Sequence, residues 1–396
     1  MTPGEAAPQP AGAPLEAVAR VLRAVGGAAV RVSEPALLKS WERNDVWRVR
    51  VIRAAGTPGR RGEPGPPDSV IVKRFKSEPA RGLDEWAALE HLDALGIAPA
   101  SAPHFLGGDL AARCFVMEDL GEGPSLEDLL RAHEPGAAAR AGEALVAIAR
   151  ATGALHAAAR EHADEFDRRR DALASRRVTT LRAAADARRA ALAALRAWLD
   201  ATGAAAAPGL EAAQAALGRA AEEPGAWATL THGDMAPSNN LRARDGWRLL
   251  DFEYAGVRHA LYDTLLWTLF CPFPLPLIER ADHAYRAAMA GAFPPARDEG
   301  EYARARAHVA AGRTLDLLRW QPPALLERDR DWAPGLTARQ AVLWHLERFV
   351  TVAERGEPAL APIAATLEGL HRRLAAGWSA ERERGLVWPA FGDDRL

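Results

Sequence analysis

The spacing of apolar residues divides the chain into a strand-rich first part and a helix-rich remainder. Leu15, Val18 and Val25 belong to a set of apolar positions spaced like one helix face, which predicts a helix over residues 15–25. Partial alternation of apolar and polar residues then favours a half-covered antiparallel sheet. The predicted strands lie at residues 37–40, 46–53, 69–75, 104–108 and 113–117.

Helical periodicity dominates beyond the last of these strands. Ser125, with Asp128 three residues later, resembles a capping box and predicts a helix start. Asp263 is predicted as the N-cap of a further helix, and Trp320 and Trp332 as core residues. Helices are predicted at residues 82–95, 142–160, 176–200 and 263–270, and through much of 277–378.

Three segments lack a clear period. Residues 1–14 are rich in Pro, Ala and Gly and are predicted to be a disordered tail. The run AAGTPGRRGEPGPPD at 54–68 predicts a mobile loop at a hairpin tip. Residues 387–391 are predicted to be extended and to dock on the larger part of the molecule.

The richest polar pattern lies in residues 231–263, THGDMAPSNNLRARDGWRLLDFEYAGVRHALYD. Asp245-Gly246 between two mixed apolar runs predicts a hairpin with a type I′ turn. That register places Asn240 opposite Asp251, and it brings the Asn239 and Asp251 side chains to one end of the hairpin. An amide oxygen and carboxylates, without Cys or His at metal-ligand spacing, favour Mg²⁺ over zinc.

Composition narrows the class of protein. The 396 residues suit two lobes or domains, and 48% hydrophobic with 26% charged residues is ordinary for a globular protein. A net charge of −2 gives no indication of a nucleic-acid or membrane partner. Cys114 and Cys271 match no metal or redox spacing, which favours reduced thiols in a cytoplasmic protein. Neither a secretory signal nor a long apolar run is apparent.

The motif His232-Gly233-Asp234, with Asn239 and then Asp251, resembles the aminoglycoside phosphotransferase and choline kinase superfamily. The resemblance covers about residues 30–275, with specific motifs in 231–263. It implies an α+β, two-lobe protein-kinase-like fold, with a small antiparallel-sheet N-lobe and a large, mainly helical C-lobe. It also implies Asp234 as the base that faces the substrate hydroxyl, with His232 holding its loop. Asn239 and Asp251 would hold Mg²⁺, and Glu253 would contact a second ion or a metal-bound water.

The resemblance implies a nucleotide site in the first part of the chain. Lys73 would reach the α and β phosphates and needs a carboxylate partner, for which Glu85 is preferred and Glu90 stays open. Ser40 and Asn44 would belong to a turn that covers the nucleotide. Because no glycine lies between Leu37 and Val51, a plain hairpin turn is the alternative.

The segment Met117-Glu118-Asp119-Leu120-Gly121 resembles the hinge of the superfamily, in which backbone groups contact the adenine edge. Met117, Glu118 and Leu120 are therefore candidate nucleotide contacts, although Met117 suits a core position equally well. Asp263 is expected to steady the catalytic loop. His156, at the end of a long helix, is expected to have no chemical role.

Together these patterns predict a tail over residues 1–14, a nucleotide-binding lobe over 15–120 and a helical lobe over 121–396. The last contains the catalytic loop 231–256 and helical acceptor-binding insertions. The expected reaction moves the γ-phosphoryl group of ATP, with GTP also open, to a hydroxyl of an aminoglycoside-, choline- or sugar-like molecule. The expected form is a monomer or homodimer. The alternative is a nucleotide-binding pseudokinase that acts as a regulator. A kinase for protein substrates is disfavoured by the short segment between Asp251 and Asp263.

Overall fold

The structure is a computed structural model that describes residues 14–26, 30–33, 35–53, 68–174, 180–333, 335–384 and 386–392. Of the predicted N-terminal tail and the Gly/Pro-rich insertion, only Pro14 and Asp68 lie within these ranges. The other residues of both segments lie outside the described part of the chain.

The α-helices of the described residues are α1 (Leu15–Gly26), α2 (Pro79–Ala94), α3 (Ala98–Ser101), α4 (Leu126–Leu130), α5 (Ala137–Ala159), α6 (Ala163–Ala174), α7 (Thr180–Thr202), α8 (Leu210–Glu222), α9 (Leu275–Met289), α10 (Glu299–Trp320), α11 (Ala338–Gly356), α12 (Ala361–Gly377) and α13 (Ser379–Arg384). The strands are β1 (Val30–Val32), β2 (Ala36–Ser40), β3 (Asn44–Arg53), β4 (Ser69–Phe75), β5 (Phe105–Asp109), β6 (Cys114–Glu118), β7 (Ala228–Thr231), β8 (Asn240–Ala243), β9 (Gly246–Leu249), β10 (Gly256–His259), β11 (Asp331–Ala333) and β12 (Leu336–Thr337).

The chain divides into two compact units that are each discontinuous in sequence. Unit 1 comprises Met1–Gly123, Glu165–Ser175 and Arg242–Ala255. Unit 2 comprises Pro124–Asp164, Arg176–Leu241 and Gly256–Leu396. Most of the sheet structure lies in unit 1 and most of the helices lie in unit 2, so the predicted α+β class is confirmed.

Unit 1 is built on an antiparallel sheet in which the described strands have the order β1-β3-β4-β6-β5, with β2 also paired to β3. The alternation in β3 places Trp47, Val49 and Val51 in a core cluster with residues of α1, while Ile52 is exposed. The predicted half-covered sheet is therefore confirmed. The predictions missed β1, which is only three residues long.

Helix α2 lies close to the sheet because glycines leave room for aromatic rings. A Cβ on Gly82 would lie 2.4 Å from the Phe75 ring, and one on Gly108 would lie 2.2 Å from the Trp86 ring. The Trp86 ring also packs 6.5 Å from Phe115, measured between centroids. This contact fixes the side of α2 that carries Glu85 against the sheet.

Unit 2 is mainly helical. Buried apolar residues from α7, α8, α10, α11 and α12 form one core cluster, and α5 packs along α9. Strands β7 and β10 form an antiparallel ribbon in which Thr231 pairs with Gly256. Helix α4 begins at the predicted capping box, since Ser125 accepts a hydrogen bond from Asp128 N and Asp128 accepts one from Ser125 N. Among the described residues, no helix has the length and apolarity needed to cross a membrane.

The predicted hairpin exists, but its turn differs. The turn residues are Arg244 and Asp245, and neither Asp245 nor Gly246 has a positive φ, so a type I′ turn at Asp245-Gly246 is wrong. Gly246 instead leaves room for the side chain of Arg248, whose Nη2 donates to Asp245 Oδ2 at 2.7 Å. Strand β9 ends at Leu249, so Asp251 lies beyond the paired strands and is not opposite Asn240.

Three other predictions in the helical part are wrong in detail. Asp263 is not a helix N-cap; the residues after it form a π-helix, Leu266–Phe270. Trp320 is 46% exposed rather than core, whereas Trp332 packs against the core as predicted. The C-terminal segment packs on α4 and α5 as expected, but Pro389–Phe391 is a 3₁₀ turn rather than extended.

Candidate active site

A buried ammonium group lies between two carboxylates in unit 1. Lys73 Nζ lies 2.5 Å from Glu85 Oε2 and 2.5 Å from Asp251 Oδ1. The Lys73 and Glu85 side chains are almost completely buried, whereas that of Asp251 is 31% exposed. We call Lys73, Glu85 and Asp251 the Lys73 cluster. Glu90, the open alternative, accepts from Trp86 Nε1 at 3.1 Å and lies 3.7 Å from Arg169 Nη1.

The electrostatics of the Lys73 cluster favour a charged lysine. Burial opposes ionisation, but the negative charges of Glu85 and Asp251 raise the pKa of Lys73 above its usual value. Burial raises the pKa of Glu85 to about 7, against the opposing effect of the ammonium group. Burial and the charge of Asp251 also raise the pKa of Glu253. The raised pKa values of Glu85 and Glu253 therefore reflect burial first and the neighbouring negative charge of Asp251 second.

The backbone at Asp251 adopts an unusual conformation. Asp251 has a φ of 66°, in the left-handed region that residues other than glycine rarely occupy. Beyond the end of β9, this conformation coincides with the ion pair between Asp251 and Lys73. Strand β9 does not continue to Glu253, because the chain turns at residues 253–254.

Glu253 is held by an arginine of the turn between β2 and β3. Arg43 Nη1 lies 2.9 Å from Glu253 Oε1 and donates to Tyr254 Oη at 3.1 Å. The guanidinium of Arg81 lies 4.1 Å from the centroid of the Tyr254 ring. A cationic turn thus contacts the residues that follow Asp251, and the sequence analysis did not predict these contacts. The only sequence feature that pointed to them was the position of Arg43 inside the predicted nucleotide-covering turn.

The same turn contains Ser40 and Asn44 at its two ends. Ser40 Oγ donates to the buried Asp45 Oδ1 at 2.6 Å, and Lys76 Nζ donates to the same oxygen at 2.8 Å. The carbonyl oxygen of Asn44 accepts from Trp41 N at 2.9 Å. These bonds close a tight turn from β2 to β3.

The hinge candidates lie at the end of β6. Met117 pairs with Ile71 and Phe105 in the sheet. Glu118 N donates to the carbonyl of His104, and Glu118 Oε2 accepts from His104 N. Leu120 follows and is partly buried.

Asp119, between the hinge candidates Glu118 and Leu120, anchors the segment and was not predicted. It accepts from Ser69 Oγ at 2.7 Å and from Arg48 Nε at 2.7 Å. The hinge segment is therefore held by the carboxylate of Asp119 and, before it, by the backbone pairing of β6.

In unit 2, the loop that carries His232, Gly233, Asp234 and Asn239 begins where β7 ends, and we call it the motif loop. One carboxylate organises it: Asp263 accepts from His232 N at 2.7 Å and from Gly233 N at 2.9 Å. The expected support of the loop by Asp263 is present, although Asp263 acts on the loop rather than as a helix cap. Burial raises the pKa of Asp263, but its bonds and nearby histidines outweigh that effect and lower it. Asp263 therefore stays ionised.

A second layer holds Asp263. Nε2 of the buried His156 lies 2.9 Å from Asp263 Oδ2, and its Nδ1 lies 2.8 Å from Tyr285 Oη. Tyr285 Oη donates to the carbonyl of Ala260 at 3.0 Å. His156 thus has a structural position, as expected, and the loop is tied through it to α5 and α9.

Asp234 and Asn239 are held by backbone contacts of the same loop. Asp234 N donates to His232 Nδ1 at 3.2 Å, and Asn239 Nδ2 donates to the carbonyl of Asp234 at 3.0 Å. This bond uses the amide nitrogen of Asn239, while its amide oxygen accepts from Ser238 Oγ at 3.4 Å. The carboxylate of the half-buried Asp234 has no hydrogen-bond or ion-pair partner within the described residues.

The structure thus gathers the predicted residues into two sets. Lys73, Glu85, Asp251 and Glu253 lie together in unit 1, and His232, Asp234 and Asn239 share one loop in unit 2. Within the described residues, no group of three or more His, Cys, Asp or Glu side chains forms a metal site by itself.

Comparison with protein families gives one match. The sequence profile of the phosphotransferase enzyme family matches residues 57–297, more than half of the chain. A search of curated proteins by sequence finds no relative.

Three solved structures illustrate the similarity in architecture: two are proteins of choline or ethanolamine kinase type, and one is a phosphotransferase. The choline kinase from Cryptosporidium parvum is 12% identical, with a TM-score of 0.44 over 92% of this chain and 95% of that chain. A choline/ethanolamine kinase family protein from Mesorhizobium loti is 18% identical, with a TM-score of 0.42 over 86% and 93%. A macrolide 2′-phosphotransferase from Brachybacterium faecium is 16% identical, with a TM-score of 0.39 over 87% and 98%.

Proposed function

The chain belongs to the phosphotransferase enzyme family, and from this premise we propose that it transfers the γ-phosphoryl group of ATP to a hydroxyl of a small molecule. The fold is protein-kinase-like, with an antiparallel sheet in unit 1 and a mainly helical unit 2. The observation that carries the proposal is the buried Lys73, which lies within 2.5 Å of both Glu85 and Asp251. Kinase catalysis requires a lysine held by a carboxylate in this way.

On the nucleotide side, the proposal assigns Lys73 to the α and β phosphates. Glu85 holds the ammonium group in the sheet, where burial strengthens its interaction with phosphate oxygens. Ser40 and Asn44 are proposed to cover the phosphates, and GTP remains an alternative donor. The adenine is proposed to contact backbone groups of Met117, Glu118 and Leu120.

The proposed metal is Mg²⁺, and the donor chemistry fits it. Asp251 offers a partly exposed carboxylate, and the amide of Asn239 is oriented by the bond from its nitrogen to Asp234. One or two chain oxygens, completed by phosphates and water, are the usual ligands of Mg²⁺. Glu253 would contribute only after its ion pair with Arg43 opens. When bound, the metal neutralises negative charge on the phosphates.

The proposal gives Asp234 the role of the base. The acceptor oxygen forms a bond to the γ phosphorus while the bond from phosphorus to the ADP oxygen breaks. The hydroxyl proton passes to the Asp234 carboxylate, which has no partner in the described structure and is therefore available to accept it. His232 accepts from Asp234 N and so fixes the loop rather than transferring a proton. Catalysis then rests on positioning and on charge neutralisation.

Replacing the base tests this proposal. We expect Asp234→Ala to lower the rate of phosphoryl transfer at least about a hundredfold, the usual contribution of a general base. Calorimetry with Mg-ATP should give a nearly unchanged dissociation constant. Asp234→Asn keeps the shape of the side chain and should be as inactive. Asp200→Ala, which removes an exposed carboxylate at the end of α7, is the matched control. Comparable turnover in the Asp234 variants would refute the role of Asp234.

The alternative is a regulator that binds nucleotide without turning it over. The feature in its favour is the glycine-free turn whose Arg43 is paired with Glu253. Mg-ATP binding without transfer to any acceptor in a broad panel would support the regulator. Sustained transfer to one acceptor would exclude it.

A further inference from the structure

We infer that the acceptor carries an anionic group in addition to its hydroxyl, and that this group binds at the guanidinium groups of Arg258 and Arg313 in unit 2. Identifying the bound ligand as the phosphoryl acceptor rests on the proposed function. The existence of the anion site does not. We call Arg258, Tyr262 and Arg313 the arginine–tyrosine stack.

Arg258 is positioned beside the start of the motif loop. Its Nη1 donates to Thr231 Oγ1 at 3.0 Å, and Thr231 immediately precedes His232. A Cβ on Gly256 would lie 3.1 Å from Nη1 and Nη2 of Arg258, so the glycine leaves room for the guanidinium group. Strand pairing holds Gly256 opposite Thr231. The position of this charge is therefore fixed by the ribbon of β7 and β10.

Tyr262 joins Arg258 to a second arginine. The guanidinium carbon of Arg258 lies 5.4 Å from the centroid of the Tyr262 ring, and that of Arg313 lies 5.2 Å from the same centroid. Tyr262 immediately precedes Asp263, which accepts from the backbone of His232 and Gly233. Two guanidinium groups thus lie over one ring next to the support of the loop. An anion that contacts both of them would lower the repulsion between their charges.

The local charge balance is positive. Within the described residues, no carboxylate lies within 4.0 Å of Arg258, whose polar contact is the neutral Thr231. Arg313 lies 3.2 Å from Asp316, but Asp316 is shared with Arg319 at 3.8 Å. Within the described residues, Arg258 and Arg313 each use Nη1 in a hydrogen bond, and their Nη2 groups have no hydrogen-bond acceptor. These Nη2 groups are the donors that an added carboxylate or phosphate would satisfy.

The same arrangement disfavours a cationic acceptor. Ammonium groups are bound by carboxylates or by open aromatic faces. Arg313 already lies 5.3 Å from the Phe270 centroid and 4.4 Å from the nearest Trp320 ring centroid, in addition to its contact with Tyr262. A ligand ammonium would therefore compete with a fixed guanidinium group for each ring. Trp320 is 46% exposed and the Arg313 side chain beside it is 13% exposed, so solvent reaches the edge of this region.

A series of small probes with one scaffold and different charges tests the inference. The probes are glycerate, glycerol 1-phosphate, glycerol and 3-amino-1,2-propanediol, titrated into the full chain without nucleotide at constant ionic strength. We expect at least one of the two anions to bind at least about tenfold more tightly than glycerol, as a charge-assisted hydrogen bond would give. The amine should bind most weakly. The ranking of carboxylate and phosphate identifies the preferred anion.

Variants assign the effect to the stack. Arg258→Gln and Arg313→Gln should each remove most of the anion preference, whereas Arg313→Lys keeps the charge and should retain part of it. Arg304→Gln removes an exposed arginine from the same helix, α10, and should leave the preference unchanged. Circular dichroism verifies folding. If a glutamine variant fails to fold, the Arg313→Lys result and the wild-type ranking decide.

The inference would be overturned by binding of the amine at least as tight as that of the anions, or by no measurable binding of either anion. An anion preference unaffected by all Arg258 and Arg313 variants would also overturn it. Transfer assays separate this result from the proposed function. Anion preference without phosphoryl transfer to any acceptor refutes the proposed function alone, and transfer to amines without anion binding refutes the inference alone.

Discussion

The Lys73 cluster of unit 1 is held by ion pairs between charged side chains. In unit 2, by contrast, Asp263, the backbone N–H groups of His232 and Gly233, and His156 form what we call the loop network, in which backbone groups bind one carboxylate. In the cluster, one ammonium group contacts two carboxylates, and Arg43 contacts a third at Glu253. In the network, Asp263 binds the backbone of His232 and Gly233, with His156 behind it. Both networks are largely buried, but their partners differ in kind.

This difference indicates which part rearranges during function. Ion pairs between side chains exchange partners when a stronger ligand, such as a polyphosphate or a cation, arrives. Backbone groups of a loop cannot exchange partners without moving the loop itself. We therefore expect the Lys73 cluster to respond to nucleotide and metal, and the loop network to stay fixed and to hold Asp234 in place.

The loop network should be the more costly to break. We expect Asp263→Ala to lower the free energy of unfolding by about 3 kcal/mol, because each buried donor left unsatisfied costs about 1–3 kcal/mol. Urea unfolding monitored by circular dichroism measures this loss. Activity should fall with it.

A matched carboxylate provides the control. Asp298, the N-cap of α10, accepts from Glu301 N in an exposed setting. Its replacement by alanine should cost about 1 kcal/mol, the usual cost of losing a cap. Equal losses for the two variants would contradict the special position of Asp263.

The Lys73 cluster should matter more for catalysis than for folding. We expect Lys73→Met to lower kcat/KM at least about a hundredfold, the usual effect of removing one preorganised charge-stabilising donor. Steady-state kinetics with saturating acceptor and varied ATP measures it. Lys39→Met, on the exposed strand β2, is the control for loss of a lysine.

A double variant separates stability from catalysis. Lys73→Met alone leaves Glu85 buried without its ammonium partner, which is destabilising. Adding Glu85→Gln should recover stability without recovering activity. Recovery of activity in the double variant would show that Lys73 does not contact the nucleotide.

The last prediction concerns the pH dependence of stability at the buried His345 of unit 2. Burial lowers the pKa of His345 to about 4, although its Nε2 donates to the carbonyl of Phe270 at 3.1 Å. The unfolded chain takes up this proton near pH 6.5, before the folded protein does. Stability from this group is therefore complete above pH 6.5 and is lost as pH falls toward 4, by up to about 1.4 kcal/mol per pH unit.

Comparison of variants isolates this contribution from that of other acid-sensitive groups. His345→Gln keeps a donor for Phe270 and should make the free energy of unfolding fall less steeply between pH 6.5 and 4. His133→Gln, which replaces an exposed histidine, should not. Parallel curves for wild type and His345→Gln would refute the prediction.

Patterns with a regular period could be predicted from the sequence. The strands around Lys73 and the face of β3 that holds Trp47 and Val49 follow from alternation, since a half-covered sheet must bury one face. The capping box at Ser125 follows from local bonding over three residues. These features depend on neighbours in the chain, which a linear pattern records.

Features that depend on distant contacts could not be predicted in the same way. The hairpin turn lies one residue earlier than predicted, and Asp245 within it pairs with Arg248, a contact that a dipeptide preference does not include. Asp263 became the support of a loop rather than a helix cap because its partners, His232 and Gly233, lie 30 residues or more away. Likewise, Trp320 is exposed because it lies at the end of α10, where helical periodicity alone cannot assign burial.

The sequence by itself determined the reaction class, because the spacing of His232, Asp234, Asn239 and Asp251 needs no tertiary information to be recognised. The tertiary structure decided between Glu85 and Glu90. Close packing of Trp86 on Gly108 places Glu85 beneath Lys73, and the indole binds Glu90 instead. The tertiary structure also brought Arg258 and Arg313, which lie more than 50 residues apart in sequence, to the ring of Tyr262. Charges so distant in sequence are joined only by folding, and the inferred preference for an anionic acceptor depends on them.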